Sequence, residues 1–403
     1  MVRAVVRYGL LAGFLLFLLA GRAFAQLEGR LYLDKDHYVV GEPVYLNFEL
    51  TNNGRAPLQF ASGNSYSFCG GYQIEVSSGP PPSNSSCSSG FGGSCIGGTW
   101  VIAPGETRKD KVLVNYEHDL PKPGTYSVNA SRTLSYGPPT EAWPNAASRE
   151  HFKVEAQFQI QVEIGNDETL VPMFRPFVAD LASKDEERQR EAARIIGSLA
   201  PPFLEETIIS MVNSPVTRQF ALIGLRHLNT ARSRETLAGI VQSTSGYSYE
   251  KQQAIKYLSE MGDKKYFPLL LDEAKKWEPN QARDYVLAAA VLGGEDAMPY
   301  VVSLLGSSDP FSRGNAVMAL PQTGSRHAVP LLIDLLRNHD TDLGRLASIG
   351  LIQLTHHSPF ENGRLYSDSP SSGYPDWMHW WLLHGGAAPI YGPSQCGAVE
   401  PLK

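Results

Sequence analysis

An all-β sandwich followed by an all-α solenoid is the fold class that the sequence predicts, and three observations predict it. From residue 27 to about 165, apolar and polar residues alternate with period two between Gly/Pro/Asn turns. Beyond Gly165 the apolar spacing lengthens to that of helices. Within that helical part the chain repeats itself. Pro268, Pro299 and Pro330 stand 31 residues apart in similar contexts, Phe267-Pro-Leu-Leu-Leu, Met298-Pro-Tyr-Val-Val and Val329-Pro-Leu-Leu-Ile, and Gly262, Gly293 and Gly324 keep the same step. Units of this length cannot bury their apolar faces alone and must stack into a solenoid.

The first 25 residues read as an export signal: Arg3 and Arg7, an apolar run from Leu10 to Leu19, then Ala23-Phe24-Ala25 as a small-x-small cleavage site before Gln26. The apolar core is short against the roughly 20 residues that a spanning helix needs, and no later stretch reads as a membrane span. Segment 1–25 is therefore expected to leave, and the mature chain to be exported to a periplasmic or extracellular space. Losing Arg3, Arg7 and Arg22 moves the formal charge from −6 to −9. An acidic chain without a dense Lys/Arg run argues against nucleic acid as a partner. Cys69, Cys87, Cys95 and Cys396 are an even set, which in an oxidising compartment invites two disulfides with three possible pairings. No C-x2-C pair is present, which argues against zinc.

Residues 26–165 form the predicted β-domain. Arg30-Leu-Tyr-Leu-Asp and Val44-Tyr-Leu-Asn-Phe-Glu-Leu alternate, and further strands are expected at Gln73 to Val76, Lys111 to Asn115, Thr125 to Leu134 and His151 to Glu163. Gly41-Glu-Pro, Asn52-Asn-Gly, Pro104-Gly-Glu and Lys122-Pro-Gly-Thr supply the turns. Seven or so short strands predict two packed antiparallel sheets. Two insertions interrupt them, Ser77 to Gly98 and Gly137-Pro-Pro-Thr-Glu-Ala-Trp-Pro, the second carrying Trp143 as a candidate contact residue. Tyr38-Val-Val-Gly-Glu-Pro-Val, Pro104-Gly-Glu-Thr and Pro123-Gly-Thr-Tyr resemble secreted immunoglobulin-like domains of the macroglobulin or bacterial proteinase-inhibitor type.

Residues 166–358 hold about six helix pairs. The first members are expected near Val171, Pro202, Arg234, Tyr266, Met298 and Ala328, and the second near Glu186, Val216, Tyr249, Gln281, Phe311 and Leu343. Val329-Pro-Leu-Leu-Ile-Asp-Leu-Leu, Asp309-Pro-Phe-Ser-Arg313 and Asn315-Ala-Val-Met-Ala-Leu resemble HEAT repeats of the short bacterial kind, which implies a HEAT-type α-solenoid. Arg190, Arg218, Arg283, Arg313 and Arg345 recur near the start of second helices. They read either as a basic ridge for acidic partners or as a structural ladder meeting turn carboxylates such as Asp185, Asp309 or Asp340 and the helix-end carbonyls of a neighbour. Recurrence in most units favours the ladder.

Residues 359–403 form a tail in which Trp377, Trp380 and Trp381 share one face of a short helix. They are expected either to cap the open end of the solenoid or to line a site for a peptide or sugar. His379 and His384 are five apart, on different helix faces, with no Glu between them, so no metal site is expected. The chain shows no G-x-S-x-G, no dinucleotide fingerprint and no P-loop ending, so no catalytic or cofactor-binding residues are assigned. The reading at this stage is a non-catalytic scaffold that binds a protein or peptide on the solenoid, without nucleic acid and without an integral membrane segment after signal removal. The alternative is a proteinase inhibitor, or an accessory subunit of a cell-envelope enzyme, acting through the β-domain.

Overall fold

In the computed structural model the chain divides into two compact units, residues 1–175 and 176–403. The structure describes residues 26–62, 71–77, 98–139 except 117, 119 and 121, 150–337 except 244, 245 and 247, then 341–357 and 373–392. The expected export signal, all four cysteines, Trp143 and Asp340 lie outside the described residues.

The first unit holds nine described strands: β1 Leu27–Leu33, β2 His37–Val39, β3 Tyr45–Asn52, β4 Leu58–Ser62, β5 Tyr72–Ser77, β6 Gly98–Ile102, β7 Thr107–Leu113, β8 Gly124–Gly137 and β9 Glu150–Glu163. One sheet has the order β1-β3-β7; the other runs β2-β9-β8-β4-β6, with β5 also paired to β8. Alternation on β3 sends Leu46, Phe48 and Leu50 inward, and the same period on β8 and β9 sends Tyr126, Val128, Ile160 and Val162 to meet them in one apolar core. Three strands were not anticipated: β2, β4 and β6. The expectation of purely antiparallel sheets is corrected at β2, which pairs in parallel with β9 through Tyr38↔Val162. The chain leaves β1 at Leu33 and, three residues later, joins the other sheet as β2, where it lies beside the last strand.

Arg132 of β8 is buried between the rings of Phe48 and Tyr72, each centroid 4.2 Å from its guanidinium carbon, and donates to Asp110 of β7 at 2.8 Å. The cation thus joins both sheets through two ring faces and one carboxylate. Asn52 does similar work at the turn after β3, donating to the carbonyls of Ala56 at 2.9 Å and Ile102 at 3.1 Å while its own Oδ1 accepts from the Gly54 amide.

On the outer side of the small sheet, Glu49 accepts from Lys109 at 2.8 Å, Arg30 at 2.5 Å and the Tyr32 hydroxyl at 2.9 Å. These bonds, from Lys109 first, hold its carboxyl down at about 2, against an ordinary 4.5. A depressed folded value means that the contribution of Glu49 to stability is present above the ordinary value and is lost as pH falls through about 2. A carboxyl-carbon NMR titration of the folded protein is expected to show this midpoint, and an unshifted one would remove the network from the account.

The second unit is made of helices α1 Asp167–Asp180 (whose first residues belong to the first unit), α2 Glu186–Leu199, α3 Glu205–Met211, α4 Arg218–Leu228, α5 Ala231–Ser243, α6 Tyr249–Met261, α7 Phe267–Lys276, α8 Arg283–Gly293, α9 Met298–Leu305, α10 Pro310–Ala319, α11 Ala328–Leu335, α12 Thr341–Thr355 and α13 Tyr374–His384. The recurring prolines explain themselves. Pro268 and Pro299 sit in the first turn of α7 and α9, where a missing N–H costs nothing. Gly262 and Gly324 take φ values of 75° and 61° to end their segments. The third marker, Gly293, stays helical with the Phe267 ring packed against it, and Gly294 makes the left-handed turn at φ 57°.

Contrary to expectation, one later stretch passes for a membrane span by length and composition, and that glycine pair interrupts it. Arg283–Leu305 reaches the necessary length, at a mean hydropathy of 1.2, but it breaks at Gly293–Gly294 into two helices, and half of it is buried.

The second helix of each pair touches its equivalent in the next pair along the whole stack, α2 on α4 through α10 on α12, whereas contact between successive first helices is sparse. The second helices thus form the closely packed inner row of the stack. Small residues permit the approach: a Cβ on Gly197 would stand 2.2 Å from the Phe220 carbonyl oxygen, and one on Gly224 would stand 3.2 Å from the Gly197 Cα. Gly197→Ala is accordingly expected to destabilise the helical unit by about 1–3 kcal/mol through overpacking. Gly314→Ala on α10 meets nothing within 4 Å and should be neutral or slightly stabilising, since helical glycine is entropically weak. Urea unfolding of both variants checks the contrast.

Candidate protein-interaction surface

The five arginines near the starts of second helices find partners within their own repeats. Arg190 meets Glu187 of its own helix at 2.5 Å, Arg345 meets Asp342 at 2.8 Å, and Arg283 meets Asp284 at 3.1 Å. Arg218 donates to the Val212 carbonyl at 2.7 Å, and Arg313 to the carbonyls of Ser307 and Ser308 at 3.0 and 2.9 Å. Those carbonyls end the preceding helix and lack helical partners, which is why a long side chain one turn away reaches back to them. The expected partners Asp185 and Asp309 cap helices instead, accepting from the amides of Glu187 and Ser312 at 2.9 and 2.6 Å.

The rungs between neighbouring repeats come from other residues: Arg226–Glu260 at 2.7 Å, Arg234–Asp263 at 3.3 Å and His327–Glu295 at 2.7 Å. The sequence held a signal for them, because Asp263, Glu295 and His327 all fall in the short interval between a marker glycine and its proline.

At the far end of the stack, the tail folds back on the last repeat. Trp377 is wholly buried. The ring of His357, just after α12, stacks on Trp380 at 4.4 Å and meets the edge of Trp377 at 5.5 Å, while His356 stacks on Tyr391 at 3.8 Å. Arg326 closes the arrangement by donating to the carbonyls of Gly385 and, at 2.5 Å, Ala388, with its guanidinium over the Trp381 ring. The tryptophans thus spend their faces inside the protein. Trp377 offers nothing to a partner, and Trp380 and Trp381 are only half exposed. Burial first, then the nearby His384, hold the His357 imidazole below its ordinary value. Among the described residues no three His, Cys, Asp or Glu side chains gather as metal ligands.

Two large apolar side chains remain in the open on the inner-row helices. Tyr249 begins α6 and is 54% exposed; Phe311 stands at the second position of α10 and is 59% exposed. They are 62 residues apart, twice the repeat step, and each stands in the first turn of its helix on alternate repeats. Sequence reasoning used both only as helix starts. Their spacing was the available signal for a surface role.

Comparison with known proteins locates the repeats in one family. Residues 267–352 match the family model described as HEAT repeats. Among solved structures, the CpcE–CpcF complex of the phycocyanin lyase of a Nostoc species is similar at 19% identity, with 43% of this chain and 74% of that one covered and a TM-score of 0.33. YibA of Escherichia coli is similar at 14% identity, with 47% and 75% covered and a TM-score of 0.31. The alpha-2-macroglobulin of Escherichia coli in its native conformation aligns at 10% identity with a TM-score of 0.18, covering 91% of this chain, which spans about a quarter (27%) of that protein's length. No curated protein matches the sequence. The β-rich first unit is thus followed by a helical unit that carries HEAT repeats between residues 267 and 352.

Proposed function

We propose that the chain is an exported, non-catalytic scaffold in which an immunoglobulin-like β-domain precedes a HEAT-type solenoid that holds a protein or peptide partner. The carrying observation is the pair of exposed rings, Tyr249 and Phe311, in the first turns of two inner-row helices two repeat steps apart. Large exposed aromatics at regular spacing are poor for solubility and good for anchoring an extended partner, whose side chains can occupy successive inter-repeat grooves. The tryptophan tail is assigned to capping, in keeping with the burial of Trp377. The five arginines are assigned to helix ends within each unit.

The test uses the chain from Gln26 onward, immobilised and exposed to a cell-envelope extract, with the retained protein identified and its binding curve measured. Tyr249→Ser with Phe311→Ser is expected to abolish saturable retention while the thermal midpoint stays unchanged. Retention that survives this double substitution would overturn the solenoid reading. Export is checked separately by fusing residues 1–25 to a reporter that is active only outside the cytoplasm.

A further inference from the structure

Strand β8 carries one kind of residue on its solvent side. Thr125, Ser127, Asn129, Ser131, Thr133 and Ser135 alternate with residues facing the core, so short polar side chains run in file along it. The neighbours on either side carry long ones. Register aligns Gln73 of β5, Ser131 and Glu155 of β9 in one row, and Glu75, Asn129 and Gln157 in the next. With strands about 4.8 Å apart, short side chains between long ones leave a trough along β8. Its volume is about 470 Å³, and Lys153 completes one wall. That is a small-ligand volume.

The hydrogen-bonding groups are spent at the ends of the trough and unspent in the middle. Thr125 donates to Gln161 at 2.7 Å and Ser135 meets His151 at 3.2 Å; in the row beside the centre, the Ser131 hydroxyl donates to Gln73 at 3.4 Å and Lys153 is tied to Glu155 at 2.5 Å. Among the described residues, the side chains of Glu75, Asn129 and Gln157 make no hydrogen bond within the protein. This central row offers two carboxamides, each with a donor and an acceptor side, and one carboxylate that only accepts. Vicinal hydroxyls, which donate and accept from adjacent carbons, complement such a row. The lining has one lysine against two glutamates, so it has no cationic surplus for phosphate or sulfate.

We propose that this trough is a binding site for a neutral linear saccharide, lying along β8 with its hydroxyls bridging Glu75, Asn129 and Gln157. Among the described residues no aromatic platform lines it, so affinity rests on hydrogen bonds exchanged with water and falls in the millimolar range. The site is independent of the solenoid surface.

The experiment is an amide NMR titration of the chain from Gln26 onward with maltotriose, cellotriose and triacetylchitotriose, each to about 50 mM. At least one is expected to give saturable shifts confined to β5, β8 and β9. Asn129→Ala with Gln157→Ala should weaken it at least tenfold, and Ser131→Leu, which fills the floor, should abolish it. Thermal unfolding confirms that each variant is folded, and the exposed double variant carries the test if Ser131→Leu is not. No shift with any of the three sugars, shifts elsewhere, or shifts indifferent to the double variant would overturn the proposal. So would a Ser/Gln-rich peptide saturating the trough when no sugar does.

Discussion

Replacing Trp377 by alanine is expected to destabilise the last repeat by about 3–5 kcal/mol, the usual cost of emptying a fully buried indole site. The effect should appear as faster amide exchange through α12 and α13 and leave α2 to α6 protected, because a solenoid transmits stability only between neighbours. Trp377→Phe should cost much less. The indole N–H is buried without an acceptor among the described residues, so phenylalanine gives up area but also an unsatisfied donor. The cap should also loosen with acid. His357 is held below the ordinary imidazole value, so its contribution is present above about pH 6.5 and is lost as pH falls below that. Protection of α12 that is indifferent to Trp377→Ala would remove the capping role.

Glu273→Gln is expected to cost about as much, roughly 3–5 kcal/mol, for a different reason. Glu273 of α7 and Lys251 of α6 are both buried, 2.7 Å apart, and Lys276 reaches the other carboxylate oxygen at 2.7 Å. Burial alone pushes the Glu273 carboxyl up, but the bonds from Lys251 and Lys276 outweigh it and the net shift is downward. Its contribution is therefore present above the ordinary glutamate value and lost as pH falls below it. Glutamine would leave the Lys251 ammonium buried without the carboxylate that neutralises it. Lys251→Met with Glu273→Leu should recover most of the loss, since an apolar pair of similar volume avoids desolvating two charges. Urea unfolding followed by fluorescence reads both, and a single variant costing under about 1 kcal/mol would show the pair to be solvated.

Most of the helical architecture was legible in the sequence because the repeat multiplies each signal. A proline in a first turn or a glycine after a last turn is weak evidence once and strong evidence at three positions 31 residues apart. Strands β2, β4 and β6 were missed because each is short and lies beside turns or an insertion, where alternation has too few residues to register. The arginines misled in a specific way. Their recurrence showed that most units use them, but recurrence cannot say whether a guanidinium reaches forward to the next unit or back to its own; carboxylates of the same helix and carbonyls of the preceding helix end decided that. Tyr249 and Phe311 were hidden by the opposite limit: apolar residues in a helical pattern read as core, and only the fold shows two of them in the open.

The Lys251–Glu273 pair also bears on how the stack assembles in order. Units of one length and similar shape are nearly interchangeable partners, so a folding chain can skip one and close on the next. One step along from Glu273 the sequence has Leu304, and two steps along Leu335. A chain that closed α6 onto the wrong unit would press a lysine into leucine with no carboxylate to meet it. The buried pair makes one junction unlike the others, and the count of repeats is kept by a charge that has a single correct neighbour.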